Sequence, residues 1–184
     1  MFEYFSKIII RSIKLDKSLY KDPNTFGELS LYYAGLIMVL DGVAGAIALS
    51  TLYKTNIIFS GVTALLSWIV WGTLIYVIGI KLFPDPGSNA SFKKILITVG
   101  FAHAPGLFRF FVFMPSLVVP IVFLTQFWIF ASLIIGVRET LNFKSNFKSA
   151  GVVIIAFLII SIVSLSFVMD KINTMSINLS LIHI

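Results

Sequence analysis

Cysteine is absent, histidine appears twice, and acidic residues number only eight among 184. The first absence excludes a disulfide framework and any thiolate-held metal. The second leaves His103 and His183, so a zinc site would need mostly carboxylates, which nearly closes the metalloenzyme readings. Charged residues make up 12% of the chain against 58% hydrophobic, whereas about a quarter of a soluble domain is charged. The chain therefore reads as an integral membrane protein. Also missing are a GKS or GKT phosphate loop, a GxSxG nucleophile elbow, an HExxH helix and an internal repeat. The stretches between apolar runs are too short for a catalytic domain outside the membrane. No cofactor is implied and no enzyme is expected. A formal net charge of +6 would suggest nucleic acid in a soluble protein. Here no nucleic-acid partner is expected, and the lysines report instead on sidedness.

What the chain does have is apolar runs of about 20 residues, the length that crosses the hydrocarbon core. Five qualify, at about 30–52, 57–80, 95–113, 116–137 and 150–169. The expected fold is all-α: one polytopic membrane domain over residues 1–184, with five transmembrane helices preceded by a short amphipathic interfacial helix. That first helix is read in residues 1–15, MFEYFSKIIIRSIKL. Its pattern puts Phe2, Phe5, Ile9 and Ile13 on one face and the basic Lys7, Arg11 and Lys14 on another, suited to an anionic lipid surface.

Basic residues fall on alternate sides of the runs. Lys7, Arg11, Lys14, Lys17, Lys21, Lys81, Lys93, Lys94, Arg138, Lys144 and Lys148 share one side; Lys54 and Lys171 lie on the other. Positive charge marks the cytoplasmic face, so the N-terminus is expected in the cytoplasm and the C-terminus outside. Arg138 and Glu139 are neighbours in sequence, and each is expected to find a partner elsewhere.

GFAHAPGLFRFF, residues 100–111, breaks the pattern of the third run. Gly100, Ala102, Ala104 and Gly106 form two small-residue pairs four apart, which let another helix approach closely. Gly42, Gly45 and Ala46 in the first run make a matching face, so the first and third helices are expected to pack there. Pro105 lacks an amide hydrogen and frees the Phe101 carbonyl, which in lipid must find another donor. At 1.5 Å per residue, Asp41 lies about 16 Å from the cytoplasmic end, His103 about 12 Å and Arg109 about 21 Å. Ionisable groups at such depth are costly and are functional candidates. Asp41, His103 and Arg109 are read as an intramembrane polar cluster, with Arg109 reaching Asp41 as a structural pair and His103 adding a hydrogen bond.

Leu15-Asp16 with Tyr20, Lys81-Leu82-Phe83 with Gly87, Ser91 and Phe92, Gly100-Phe101-Ala102 with Ala104-Pro105, then Trp128, Gly136-Val137 and Ala150 give an ordered set of features. That order resembles the Yip-one (Ypt/Rab-interacting protein) domain family in its prokaryotic form. The resemblance implies five spans, a cytoplasmic N-terminus and a plasma (inner) membrane location. Eukaryotic members are linked to Rab-type GTPases, but this chain lacks their long N-terminal region and their Asp-Leu-Tyr-Gly-Pro tract, so GTPase binding does not carry over. The favoured reading is a non-enzymatic membrane protein that organises membrane or binds partner membrane proteins, copies of itself included. The alternative is a small transporter or channel component that uses Asp41, His103 and Arg109.

Overall fold

The computed structural model describes residues 2–52 and 54–182, with side chains over 3–22, 24–52 and 54–166; Phe2, Lys171 and His183 fall outside the described side chains. Every regular element within it is helical. Helix α1 spans Phe2–Ile13, and two 3-10 turns, Lys17–Tyr20 and Pro23–Phe26, lead to α2, Ser30–Ser50. Helix α3, Ile57–Tyr76, ends in π-helical turns over Val77–Leu82. Helix α4 covers Phe92–Ala102 and gives way to a 3-10 segment, Ala104–Phe111. Helices α5, Pro115–Thr140, and α6, Asn146–Ile182, complete the chain.

Among the described residues four helices are long and apolar enough to cross a membrane: Ser30–Ser50, Ile57–Leu82, Pro115–Thr140 and Asn146–Ser166. This corrects the expectation of five transmembrane helices. The third apolar run is 11 residues of α-helix followed by eight of 3-10 helix. The cause is local. Pro105 has no amide for the Phe101 carbonyl and its ring crowds that carbonyl, so the α-helix stops at Ala102 and the chain winds more tightly beyond it.

Contacts between connections show which elements share an end. Lys21 Nζ lies 3.1 Å from Glu139, and Lys148 Nζ lies 2.5 Å from Asp85. Ser88 Oγ donates to the Leu141 carbonyl at 2.9 Å. The basic connections thus gather at one end of the bundle. Glu139 also meets its neighbour Arg138 at 3.4 Å, so the two adjacent side chains pair after all. Helix α5 has 26 residues and runs about 39 Å from that end. Its first turns reach a separate apolar cluster of Ala48, Val112 and Val118 beside the α2–α3 turn. The broken segment therefore returns the chain from the basic end to the far end.

Helix α1 turns its apolar face into this bundle. Ile8 and Ser12 are buried, and Phe5, Ile9 and Ile13 pack against the core, leaving Lys7 and Lys14 exposed. Ser12 Oγ donates to the Phe101 carbonyl at 2.5 Å, the group that Pro105 leaves without its helical partner. A row of hydroxyls continues from it, with Ser132 Oγ 3.4 Å from Ser12 and 3.3 Å from the buried Tyr20 hydroxyl. Trp128 Nε1 donates to the Ile13 carbonyl at 2.9 Å, anchoring the last turn of α1 to α5.

Leu15 then takes a left-handed conformation, φ 56°, which reverses the chain into the Asp16-capped 3-10 turn. Asp16 accepts hydrogen bonds from the Ser18 hydroxyl at 2.6 Å and from Arg11 Nε at 2.8 Å. These two donors, Ser18 first, lower the Asp16 pKa from 3.8 to about 2.

Two outcomes are expected. Ser12→Ala removes the side-chain donor to the buried Phe101 carbonyl and leaves it only a share of the His103 amide, at a cost of about 1–3 kcal/mol, read as a lower melting temperature in detergent; an unchanged melting temperature would show that the amide suffices. Because the Asp16 pKa is depressed in the folded chain, its contribution is full above pH 3.8 and is lost as pH falls toward 2. Hydrogen exchange across the α1–α2 connection should accelerate in that window in the parent and much less in Asp16→Asn.

Candidate functional site

Asp41 sits midway along α2, with 9% of its side chain accessible. In hydrocarbon an isolated carboxylate there would cost several kcal/mol, and its surroundings supply what that charge requires. Oδ1 accepts from Arg109 Nη1 at 3.0 Å, and Oδ2 lies 2.9 Å from His103 Nδ1. An ionised carboxylate can only accept, so the arrangement assigns the imidazole proton to Nδ1. Arg109 also donates from Nε to Thr125 Oγ1 at 2.9 Å and from Nη2 to Gln126 Oε1 at 3.3 Å. The guanidinium therefore bridges α2 and α5.

The 3-10 winding is what allows this. On a continuous α-helix, residues 103 and 109 would point about 120° apart. In a 3-10 helix every third side chain eclipses, so His103, Gly106 and Arg109 stand in one row facing α2. Gly106 occupies the middle of the row because nothing larger fits: a Cβ there would lie 1.8 Å from Asp41 Oδ1.

The small residues divide between different neighbours. Gly100 meets Ala34 of α2, where a Cβ would come within 2.6–2.8 Å of that residue's Cβ, Cα and carbonyl oxygen. Gly42 instead faces α3, with Ala64 Cβ at 2.6 Å and the Ser60 carbonyl oxygen at 2.9 Å from a built Cβ. The first expected span thus meets the third through Ala34 rather than through Gly42. Gly45 faces Arg109 Nη1 at 3.9 Å. Ala46, Ala102, Ala104 and Pro105 are buried. Of the basic residues on α1, Lys7 and Lys14 point outward, while Arg11 turns back to Asp16 and, at 3.6 Å, to Asp22.

A cavity of about 310 Å³ adjoins the cluster between α2 and α3. Asp41, His103 and Arg109 line it, as do Leu49 and Thr55 near the α2–α3 turn. Ser60, Thr63 and Ser67 of α3 form part of its wall. No group of three or more histidine or acidic side chains suited to a metal ion occurs among the described residues.

A sequence model of the Yip1 domain matches residues 18–168. The chain belongs to the Yip1 domain family. No curated protein and no solved structure matches it. In this Yip1 domain the match includes α2 to α5 and the whole polar cluster, but not α1, whose Ser12 caps the broken helix.

Several site residues of this Yip1 domain were not singled out from the sequence. Thr125 and Gln126 are adjacent polar residues midway along an otherwise apolar run, a signal that was available. Ser60, Thr63 and Ser67 recur at intervals of three and four, again a visible stripe. Ser12 gave no signal, since a serine on an amphipathic helix resembles any solvated residue.

The Asp41–Arg109 pair is checked by a double-mutant cycle. Asp41→Asn or Arg109→Gln alone leaves a buried charge without its partner and should cost about 3–5 kcal/mol, and the double variant less than the sum. Gly106→Ala should resemble Asp41→Asn, because the new methyl group displaces the carboxylate. Additive losses in thermal melting would show that the two charges act independently.

Proposed function

We propose that this protein is a non-enzymatic organiser of membrane, or a scaffold for partner membrane proteins, in a prokaryotic-type plasma membrane. The observation that carries the reading is the use made of the intramembrane charges. Asp41 and Arg109 tie α2, the broken segment and α5 together, and each is bonded within the protein. Toward the basic end the neighbouring packing is apolar: Gly100 presses on Ala34, and Ile37, Ile97 and Phe101 are fully buried. Such a cluster fixes helix register.

The basic end is proposed to face the cytoplasm, with α6 leading away from it. Lys7 and Lys14, exposed on α1, would face anionic lipid headgroups and contribute about 1 kcal/mol each; Arg11 is engaged with Asp16 and Asp22. The alternative reading, a small transporter or channel component, is favoured by one observation, the cavity that reaches Asp41, His103 and Arg109.

One measurement tests the orientation and a second separates the two readings. Because the chain has no cysteine, single cysteines at Ser91 and Ser145 should resist an impermeant thiol reagent in intact cells, while one at Thr51 reacts; the reverse pattern overturns the orientation. Vesicles carrying the purified protein should hold a proton or cation gradient as long as empty ones. Sustained flux that Asp41→Asn abolishes would replace the scaffold reading with transport.

A further inference from the structure

His103 Nε2 is buried and has no hydrogen-bond partner. Its ring is fixed by the bond from Nδ1 to Asp41, so Nε2 carries the free lone pair and can only accept. A buried acceptor left unmet is costly, and native structures that keep one usually have a use for it.

The cavity beside it is rich in acceptors. Thr55 Oγ1 spends its proton on the Ala46 carbonyl at 3.0 Å, Ser60 Oγ on the Asn56 carbonyl at 3.0 Å and Thr63 Oγ1 on the Ser60 carbonyl at 3.0 Å. Each hydroxyl therefore offers lone pairs to the cavity, and what such a wall complements is a donor of protons.

We propose that His103 Nε2 is a proton-binding site, supplied through this cavity from the side of the α2–α3 turn, whose one charged residue is the exposed Lys54. A proton from water adds to the Nε2 lone pair, the Nδ1–H bond to Asp41 stays, and the cluster passes from neutral to one positive charge. Asp41 then serves two cations at once, loosening its hold on Arg109 and hence the joint between α2 and α5. The charged groups facing His103 are Asp41 of α2 and Arg109 of its own segment. Helix α3 carries no charged residue, and α5 carries none before Arg138. On α1, Arg11 is bonded to Asp16 and Asp22 and Lys14 is exposed. The site is one of proton binding whether or not the proton is passed on, so it stands apart from the flux test above.

The test is histidine-selective ¹⁵N NMR of the whole protein in nanodiscs. A His183→Gln background leaves His103 as the only histidine. Titrated from about pH 8 to pH 5, the range in which histidine commonly changes charge, His103 should begin as the Nδ1–H tautomer and gain its second proton at Nε2. Thr63→Leu fills the cavity without touching the three cluster residues and should shift the midpoint by a pH unit or more, a tenfold change in proton affinity. A His103 that holds the Nε2–H tautomer, that does not titrate, or whose midpoint Thr63→Leu leaves in place overturns the proposal. If Thr63→Leu fails to fold, Ser67→Val in the same wall makes the same comparison.

Discussion

Pro105 has no amide hydrogen, and the carbonyl it leaves behind at Phe101 lies in the middle of a membrane protein, where water is not at hand to replace the bond. Much of the molecule follows from meeting that need. Ser12 supplies the hydrogen, which requires α1 to lie in the bundle with its apolar face against the core. Its last turn is held there by Trp128 and by the Ser132 and Tyr20 hydroxyls. The chain must then reverse at Leu15, and the Asp16–Arg11–Asp22 arrangement stabilises that turn. A short helix that looks peripheral in sequence becomes part of the helix pairing because of one missing N–H.

The same break makes room for charge. Burying an aspartate and an arginine together gives little net stability, since the desolvation of both offsets their attraction. What it provides is register. With Asp41 pressed on Gly106 and bonded to Arg109 and His103, a slide of the broken segment along α2 by one residue would strand a carboxylate and a guanidinium in low dielectric. The pairing therefore specifies one arrangement of helices that are apolar on nearly every face and would otherwise have few directional contacts.

How far the sequence reveals this depends on which kind of information each feature carries. Four of the five apolar runs are continuous helices because hydropathy and length decide them. The third run, equally apolar over 95–113, is not one continuous helix, because an average of hydropathy does not register a missing amide. Pro105 itself was legible, and so was the orphaned Phe101 carbonyl; the donor was not, since nothing about Ser12 marks it as near a residue far along the chain. The amphipathic pattern of α1 shows that one face is apolar without saying whether lipid or protein covers it. The small faces were legible as faces, yet Gly42 looks toward α3 and Ala34 toward Gly100, a choice made by how three helices cross. Asp41, His103 and Arg109 stood out because charge is expensive in hydrocarbon, while Thr125 and Gln126, which complete the arginine's shell, are polar enough to serve it and too ordinary to draw notice.

The break and the cluster are one device. On an uninterrupted α-helix His103 and Arg109 would face different neighbours, and only one of them could reach Asp41. Winding at three residues per turn puts both in line with it and puts Gly106 between them, the one residue that lets the carboxylate approach. The winding also ends α4 at His103, whose side chain lines the cavity together with Asp41 and Arg109. The tract GFAHAPGLFR thus specifies a change of helix type, and the change of helix type specifies the site.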